Sequence, residues 1–510
     1  MEPSVRPASS SSGSVGSRPR LPLWPLAITA GALMLFLVAP RAQDYPAAAA
    51  AFVVFGIVSF AIAVWGSPRG GLLSPFGWAM FLFAISLVVC PLLIAFYGPY
   101  PSVLRSLPSD RIINSALILM SAASLAFAVG YLAFVGRRPS ASPGGRSRVR
   151  GWGPTPRWLI VVYLAVGVLG MAFTFGSLGG VIAYFTSSGL ARQEVLDPTQ
   201  KAAWLASFIL RPFLGMGIIM IWCRRLDRVT GPRRFRDSLA TVTLLGLALV
   251  VYGTFSYNRA SFAVPAVAIL AVYSRRVVRI RAVGLMALAA VGVVLLGAVG
   301  FYRTGGLTSA QLLSRQGLEA VGDTLDLNQQ IQVYGNSPQF LGFLLHNSEH
   351  LTPQLGRTTM SAALSPIPVF GKSFRQTSGA MIYNRWIYGS LVGDSFAGDQ
   401  VVPFAGELWM DLRIPGILVG FVVVGALIGA LQRRFERGLT ALEIYVMQFT
   451  AMWIAFLIIG SLEVVSQIFV YFFWPIYLLV GYQWLRRLPV GPSEVWIPSR
   501  EPDLASRGIR

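Results

Sequence analysis

IPGILVGFVVVGALIGALQRRFERG, residues 414–438, is an apolar run that ends in Arg433, Arg434 and Arg437. About 20 apolar residues make a helix long enough to cross a bilayer, and arginines at one end mark its cytoplasmic side. The rest of the chain has the same character, since 55% of its 510 residues are hydrophobic and only 12% are charged. A soluble domain normally has about a quarter of its residues charged. A soluble enzyme, a secreted disulfide scaffold and a disordered hub are therefore excluded.

Twelve apolar runs along the chain predict an all-α polytopic membrane protein. Their approximate bounds are 21–39, 46–66, 73–96, 112–135, 158–176, 202–222, 239–256, 260–274, 283–301, 414–431, 440–460 and 467–485. The first run lacks a signal-peptide cleavage site, because Pro40 stands where a small residue is required. We therefore expect it to remain as the first transmembrane helix.

The distribution of charge predicts the orientation of these helices. With the N-terminus inside, the cytoplasmic connections and both tails hold 28 of the 42 basic residues and 8 of the 21 acidic ones. The inside then carries +20 of the formal net charge of +21, as the positive-inside rule predicts. Nucleic-acid binding is not needed to explain the basic composition.

One connection differs from the others in length, and it divides the chain. Residues 1–20 form a predicted disordered cytoplasmic tail, and 21–301 hold helices one to nine. A large external loop follows at 302–412, then helices ten to twelve at 413–485 and a cytoplasmic tail at 486–510. Loops of this length are uncommon unless they carry a function. We therefore expect the function to reside in this external segment.

The location of the loop restricts the chemistry that it can perform. A reaction outside the membrane must use a donor already activated and anchored there, and polyprenyl-linked sugars meet this requirement. Their pyrophosphate needs cations, and the forked guanidinium of arginine suits its oxygens. Inverting sugar transfer also needs one general base and a stabilised leaving group. It needs no redox cofactor, and a metal is not required.

Two segments of the chain resemble the Wzy-type O-antigen and oligosaccharide repeat-unit polymerases. They are GRTTMSAALSPIPVFGKSF (356–374) and GDSFAGDQVVPFAGELWMDLRIPGILVGFVVVGALIGALQRRFERG (393–438). The family has a Gly-x-Thr…Ile-Pro segment in a long external loop, then Gly-Glu, an aromatic residue and an apolar helix that closes on arginines. LGGVIAYFTSSGLAR (178–192) and NRASF (258–262) are also similar to family segments.

Three positions depart from the family pattern. Trp409 stands where the family often has Tyr, and Asp411 and Arg413 stand where it often has Asn and Gly. The Arg-x10-Gly pattern of some members is absent from the predicted external loops. The resemblance implies a glycosyltransferase fold akin to that of O-antigen ligases and SEDS polymerases. It also implies that the chain polymerises undecaprenyl-pyrophosphate-linked oligosaccharide repeat units.

Several cations are candidates for binding the pyrophosphate or the sugars. Arg211 lies near the middle of the sixth apolar run, where a charge is costly and tends to face an interior cavity. It either contacts pyrophosphate or pairs structurally with an acid such as Glu463. The others lie at the predicted external interface or in the large loop, where they are either binding residues or ordinary surface charges: Arg259, Arg303, Arg357, Lys372, Arg375 and Arg385.

The general base has two candidates, Glu407 and His350. Glu407 either orients or deprotonates the acceptor hydroxyl, or it is an acid stabilised by the dipole at its own helix N-terminus. His350 and His346 are four residues apart, which resembles half of a zinc site, but no third ligand follows the pattern. We therefore assign no metal.

Two rival functions stay open. An O-antigen ligase would transfer finished polymer to lipid A–core, and a transporter or flippase would move lipid-linked oligosaccharide without changing it. The long external loop and the absence of two matching halves disfavour a transporter. The expected partners are the lipid-linked oligosaccharide and the bilayer, with a chain-length regulator and a flippase as further candidates.

Overall fold

The computed structural model describes a little over half of the chain. The described residues are 24–41, 45–66, 71–98, 109–135, 152–153, 155–177, 179–186, 206–207, 209–228, 243–248, 259–277, 337–367, 402–438 and 440–486, with 251, 280, 284, 328, 331–332, 335, 374, 377–379 and 381–382. Throughout these residues the regular structure is helical, and none of them lies in a strand.

Fifteen helices are numbered here in chain order. They are α1 (Trp24–Val38), α2 (Pro46–Ala61), α3 (Pro75–Ala84), α4 (Cys90–Tyr97), α5 (Asp110–Val135), α6 (Arg157–Ser177), α7 (Val181–Thr186), α8 (Pro212–Arg228), α9 (Arg259–Arg276), α10 (Ser337–His346), α11 (Arg357–Leu364), α12 (Phe404–Arg437), α13 (Ala441–Ala455), α14 (Leu462–Phe473) and α15 (Pro475–Leu485). A π-helical turn extends α2 to Gly66, and another joins α3 to α4.

Six helical segments among the described residues are long and apolar enough to cross a membrane. They are Pro46–Gly66, Pro75–Tyr97, Asp110–Val135, Arg157–Gly176, Phe404–Arg437 and Ala441–Ile458. Each coincides with one of the twelve predicted runs, and α14 with α15 forms a candidate seventh span bent by 76°. The chain is thus an α-helical membrane protein, while the total of twelve spans stays a prediction.

Three predicted runs differ from the helices in the structure. The sixth run is interrupted at Arg211, because Pro212 lacks a backbone donor and begins α8 as a separate helix. The twelfth is broken in the same way at Trp474, before Pro475 begins α15. The tenth helix begins at Phe404, ten residues before the predicted start, so residues 404–411 are helix although the sequence analysis placed them in the loop.

The apolar residues of the stretch 309–334 are spaced as in an amphipathic helix, but this stretch lies almost entirely outside the described residues. The apolar stretch 339–346, in contrast, forms most of α10. Phe340, Leu341 and Leu344 of α10 are buried in one core with α1–α5 and α12. A second core is built from α6, α8, α9 and α13–α15. The end of the predicted external loop is therefore part of the helical bundle.

The central contact of the first core joins α5 to α12. A Cβ atom on Gly130 of α5 would lie 2.0 Å from the Val422 carbonyl oxygen, and one on Gly425 would lie 2.0 Å from that of Phe127. Only glycine allows the two backbones to approach this closely, which is a common way of packing helices in a membrane. This contact fixes α12, whose N-terminal part carries the candidate site.

Candidate functional site

Two distant segments of the chain meet at the N-terminus of α11. The carboxylate of Asp411 accepts hydrogen bonds from the backbone N–H groups of Thr358 and Thr359, each at 2.9 Å. Asp411 is buried, with 2% of its surface exposed. The first N–H groups of a helix have no partner within the helix, and an acidic side chain satisfies them and interacts favourably with the helix dipole. Asp411 therefore holds α11 on α12.

Backbone pairing strengthens this junction. The N–H groups of Gln354 and Leu355 donate to the carbonyl oxygens of Met410 and Asp411, at 2.9 and 3.0 Å. Gly356 then adopts φ 89°, a left-handed conformation that favours glycine, and turns the chain into α11. The glycine of the Gly-x-Thr motif is thus required by the turn that brings the loop onto α12.

α12 is kinked directly after Asp411. Leu412 and Arg413 leave the helical conformation, and Arg413 has φ 57° and ψ −143°. Its guanidinium lies 3.9 Å from the centre of the Trp409 ring and donates a hydrogen bond to the Leu351 carbonyl. A left-handed conformation is costly for a side chain other than glycine. Glycine would adopt this conformation without that cost.

Glu407 lies one turn before Asp411 and is fully buried. Its Oε2 accepts a hydrogen bond from the Leu462 N–H at 2.8 Å, at the first residue of α14. The dipole of α14 therefore stabilises this carboxylate in addition to that of its own helix, whose first turn holds Glu407. Its backbone carbonyl accepts a hydrogen bond from the Thr358 hydroxyl at 3.2 Å. Glu407 thereby connects α11, α12 and α14.

The second carboxylate oxygen of Glu407 has no hydrogen-bond partner among the described residues, although it is buried. Asp411 and Glu463 lie close enough for their charges to act on this carboxylate. Gly379 covers it, since a Cβ atom there would lie 3.2 Å from Cγ of Glu407. A buried acceptor without a partner is uncommon in proteins and marks a place where a proton, a water molecule or a ligand group would be stabilised.

α14 also contacts α11 directly through polar side chains. The Ser466 hydroxyl donates to the Ala362 carbonyl at 2.7 Å. The Gln467 amide donates to Glu463 at 3.1 Å and lies 3.4 Å from the Ser365 hydroxyl. The buried polar side chains of α11, α12 and α14 thus form one connected layer, which we call the polar junction: Thr358, Ser361, Ser365, Glu407, Asp411 and Glu463.

His350 ends the short 3-10 turn Ser348–His350, next to the polar junction in the chain. Its side chain is exposed, as is that of His346. Leu351, the next residue, accepts the hydrogen bond from Arg413, so the turn is anchored beside the kink of α12. Within the described part of the chain, no three His, Cys, Asp or Glu residues are arranged as metal ligands.

Arg211 lies in the second core, at the break that precedes α8, and 6% of its surface is exposed. A Cβ atom on Gly170 of α6 would lie 2.4 Å from the Arg211 nitrogen, so the two backbones are in contact. The Trp474 indole donates to the Ile209 carbonyl at 3.0 Å, and this bond joins the helix break at Arg211 to the break before α15. Two interrupted helices therefore meet beside a buried arginine.

The structure describes only some of the other basic residues that are candidates for binding substrate. Arg357 is exposed at the start of α11, with its backbone in the polar junction. α9 begins at Arg259, whose side chain lies outside the described residues. Arg303, Lys372, Arg375 and Arg385 also lie outside them. Of the predicted site residues, Glu407 lies in the polar junction, and Arg357 and His350 lie beside it. Arg211 belongs to the other core.

The sequence analysis did not select Asp411, which it noted only as a departure from the family pattern. A signal was present, because Glu407 and Asp411 are four residues apart and lie on one face if the helix begins before them. Ser361 and Thr377, whose hydroxyls are 2.7 Å apart, were missed as well. Isolated hydroxyl residues in a loop give no local sign that they will meet.

Comparison with known proteins adds no relative of established function. No protein-family model matches the chain, and no curated protein and no solved structure is significantly similar to it.

Proposed function

We propose that the chain polymerises polyprenyl-pyrophosphate-linked oligosaccharide repeat units into a surface polysaccharide at the external face of the bacterial inner membrane. The observation that carries this proposal is the meeting of the two motif segments. The backbone N–H groups of Thr358 and Thr359 in the first segment donate to Asp411 in the second, and the Thr358 hydroxyl donates to the Glu407 carbonyl, across about 50 residues of chain. The conformation of Arg413 supports the same assignment, because glycine is favoured there.

The reaction is an inverting glycosyl transfer by an enzyme of the Wzy type. A hydroxyl oxygen of the acceptor repeat unit attacks the anomeric carbon of the donor chain, and a new C–O bond forms. The bond between that carbon and the pyrophosphate oxygen breaks, and polyprenyl pyrophosphate leaves with the electron pair. The acceptor proton passes to a general base. The chain's own side chains are sufficient for these steps, so we assign neither a cofactor nor a metal.

The two candidates for the base differ in their access to substrate. His350 is exposed, and an imidazole is the side chain that most often serves as a general base. Glu407 is fully buried and caps α14, so its free oxygen reaches a substrate only if the residues above it move. We therefore favour His350 as the base and Glu407 as a positioning residue that holds the polar junction together.

The cations stabilise the departing pyrophosphate. Arg357 lies at the polar junction and is exposed, so it can reach a substrate there without displacing the fold. Arg211 is buried beside two helix breaks, as expected of a residue that serves a polar site within a membrane bundle. Arg259, Arg303, Lys372 and Arg375 stay candidates for the same role. The proposed partners are the bilayer, the lipid-linked oligosaccharide, a flippase and a chain-length regulator. Both termini of the chain are proposed to lie in the cytoplasm.

The experiment is the sizing of lipid-linked glycans in a deletion strain of the native host. Polyprenyl-pyrophosphate glycans are extracted and measured by mass spectrometry, with a strain carrying the wild-type chain on a plasmid as control. A polymerase predicts that single repeat units accumulate and that long polymer is lost. Accumulation of long lipid-linked polymer would indicate a ligase instead. Units retained on the cytoplasmic side would indicate a flippase, and unchanged glycans would exclude all three functions.

A further inference from the structure

A small cleft opens beside the polar junction and shares Ser361 with it. It has a volume of about 210 Å³ and is lined by Arg357, Met360, Ser361, Phe374 and Thr377. The first three lie on one face of α11, since they are three and four residues apart. Pockets for drug-sized ligands have volumes of roughly 300–1,000 Å³, so this cleft suits a single ring.

Two hydroxyl groups in the cleft are held in fixed positions. The Thr377 hydroxyl donates to the Phe374 carbonyl at 3.1 Å, and the Ser361 and Thr377 oxygens are 2.7 Å apart. Since a hydroxyl has only one proton, the Ser361 hydroxyl is then the donor to Thr377. The Ser361 oxygen keeps its lone pairs for a ligand. Ser361 is itself buried, with 2% of its surface exposed, so this acceptor is held in place by the fold.

The other lining groups define which ligand fits. Phe374 supplies an aromatic ring and Met360 an apolar side chain, while Arg357 supplies several N–H donors. None of the five lining residues is acidic. A free phosphate would gain little from Phe374 and Met360, and a purely apolar ligand would make no use of the Arg357 donors or of the Ser361 lone pairs. A sugar ring meets all of these groups, because it has an apolar C–H face and several hydroxyls.

We propose that this cleft is a monosaccharide subsite that holds one sugar ring of the oligosaccharide substrate. Arg357 donates to a ring hydroxyl or to an acidic substituent, the Ser361 oxygen accepts from another hydroxyl, and Phe374 contacts the apolar face. The assignment rests on the proposed function, which supplies an oligosaccharide to the same face of the protein. The subsite selects which sugar of the repeat unit is placed beside the polar junction.

The test is a binding measurement that does not depend on polymerisation. The full-length protein is held in lipid nanodiscs, and the probe is the free repeat-unit oligosaccharide, released by mild acid from the lipid-linked pool of the host. Binding is measured by saturation-transfer NMR titration. We expect Ser361→Ala and Phe374→Ala each to weaken binding about tenfold, and Phe374→Trp to restore most of it. Ser115→Ala, at an exposed serine of α5, is the matched control and should bind as the wild type does.

The outcomes separate this inference from the proposed function. Unchanged affinity in both Ser361→Ala and Phe374→Ala would overturn the subsite, and the glycan sizing in the deletion strain would still decide the polymerase assignment. Binding of inorganic phosphate without binding of the oligosaccharide would also overturn the subsite. If glycans in the deletion strain were unchanged, the polymerase assignment would fail, and tenfold losses in the titration would still support a sugar site in the cleft.

Discussion

Replacement of Asp411 by alanine removes the two hydrogen bonds that hold the N-terminus of α11. Both bonds are 2.9 Å long and are accepted by one buried carboxylate. A hydrogen bond to a charged group contributes about 1.5–3 kcal/mol, so the two together contribute roughly 3–6 kcal/mol to the docking of α11. At about 1.4 kcal/mol for each factor of ten, the opening equilibrium of residues 351–367 should increase by roughly 10²–10⁴.

The assay is hydrogen–deuterium exchange of the purified protein in nanodiscs, since local opening determines the exchange of protected amides. In Asp411→Ala, the amides of α11 should exchange faster by that factor, while those of α5 stay protected. Asp411→Asn keeps only one acceptor oxygen, so its effect should fall between alanine and the wild type. Because the junction carries the proposed site, polymer formation should be lost in Asp411→Ala. Wild-type exchange across α11 in this variant would refute the docking role of Asp411.

Asp227 of α8 provides a matched control, since it caps α13 and not α11. Its carboxylate accepts a hydrogen bond from the Ala441 N–H at 2.9 Å, at the start of α13. Asp227→Ala therefore removes the same kind of helix cap far from the polar junction. We expect faster exchange near residue 441, but unchanged protection of α11 and retained polymer formation. Loss of polymer in both variants would mean that reduced stability alone explains the result for Asp411→Ala.

Substitutions at three further residues test their individual roles. Glycine at position 413 adopts the left-handed conformation without strain, whereas alanine does not. Thermal unfolding should therefore find Arg413→Ala less stable than Arg413→Gly by roughly 1 kcal/mol. Equal stabilities of the two variants would contradict backbone strain at this position. Glu407→Gln keeps an acceptor for the Leu462 N–H, so its melting temperature should be close to that of the wild type. Glu407→Ala removes the acceptor and should lower the free energy of unfolding by roughly 2–4 kcal/mol. Similar losses of stability in both variants would argue against the capping role of Glu407. Arg211→Ala should abolish polymer while membrane insertion, measured by fractionation, is unchanged; normal polymer would remove Arg211 from the site.

The membrane helices could be predicted wherever the apolar run is continuous. The six helices that are long and apolar enough to cross a membrane belong to this class, because a backbone in lipid must satisfy its hydrogen bonds internally and a helix is the simplest way to do so. The early start of α12 could not be predicted in the same way. Glu407, Asp411 and Arg413 make residues 404–413 look like a polar loop, and only their contacts with α11, α14 and Trp409 allow these charges in a helix.

Part of the membership of the candidate site was predictable, but its arrangement was not. Glu407 was selected from the motif, but its hydrogen-bond partner at Leu462 is 55 residues away and no local pattern indicates it. The breaks at Arg211 and before Pro475 had a visible signal in the prolines, which a count of apolar residues overlooks. The contact between these two breaks depends on the packing of the second core, which the sequence alone does not specify.

The most direct test of the central claim is reconstitution of the purified chain. The protein is placed in liposomes with polyprenyl-pyrophosphate-linked repeat units as the only other component, and the products are sized by gel electrophoresis and mass spectrometry. Asp411→Ala serves as the inactive control and Asp227→Ala as the active one. Our account predicts a ladder of lipid-linked oligomers, with one polyprenyl pyrophosphate released for each bond formed. Repeat units that stay single with correctly folded wild-type protein would contradict it.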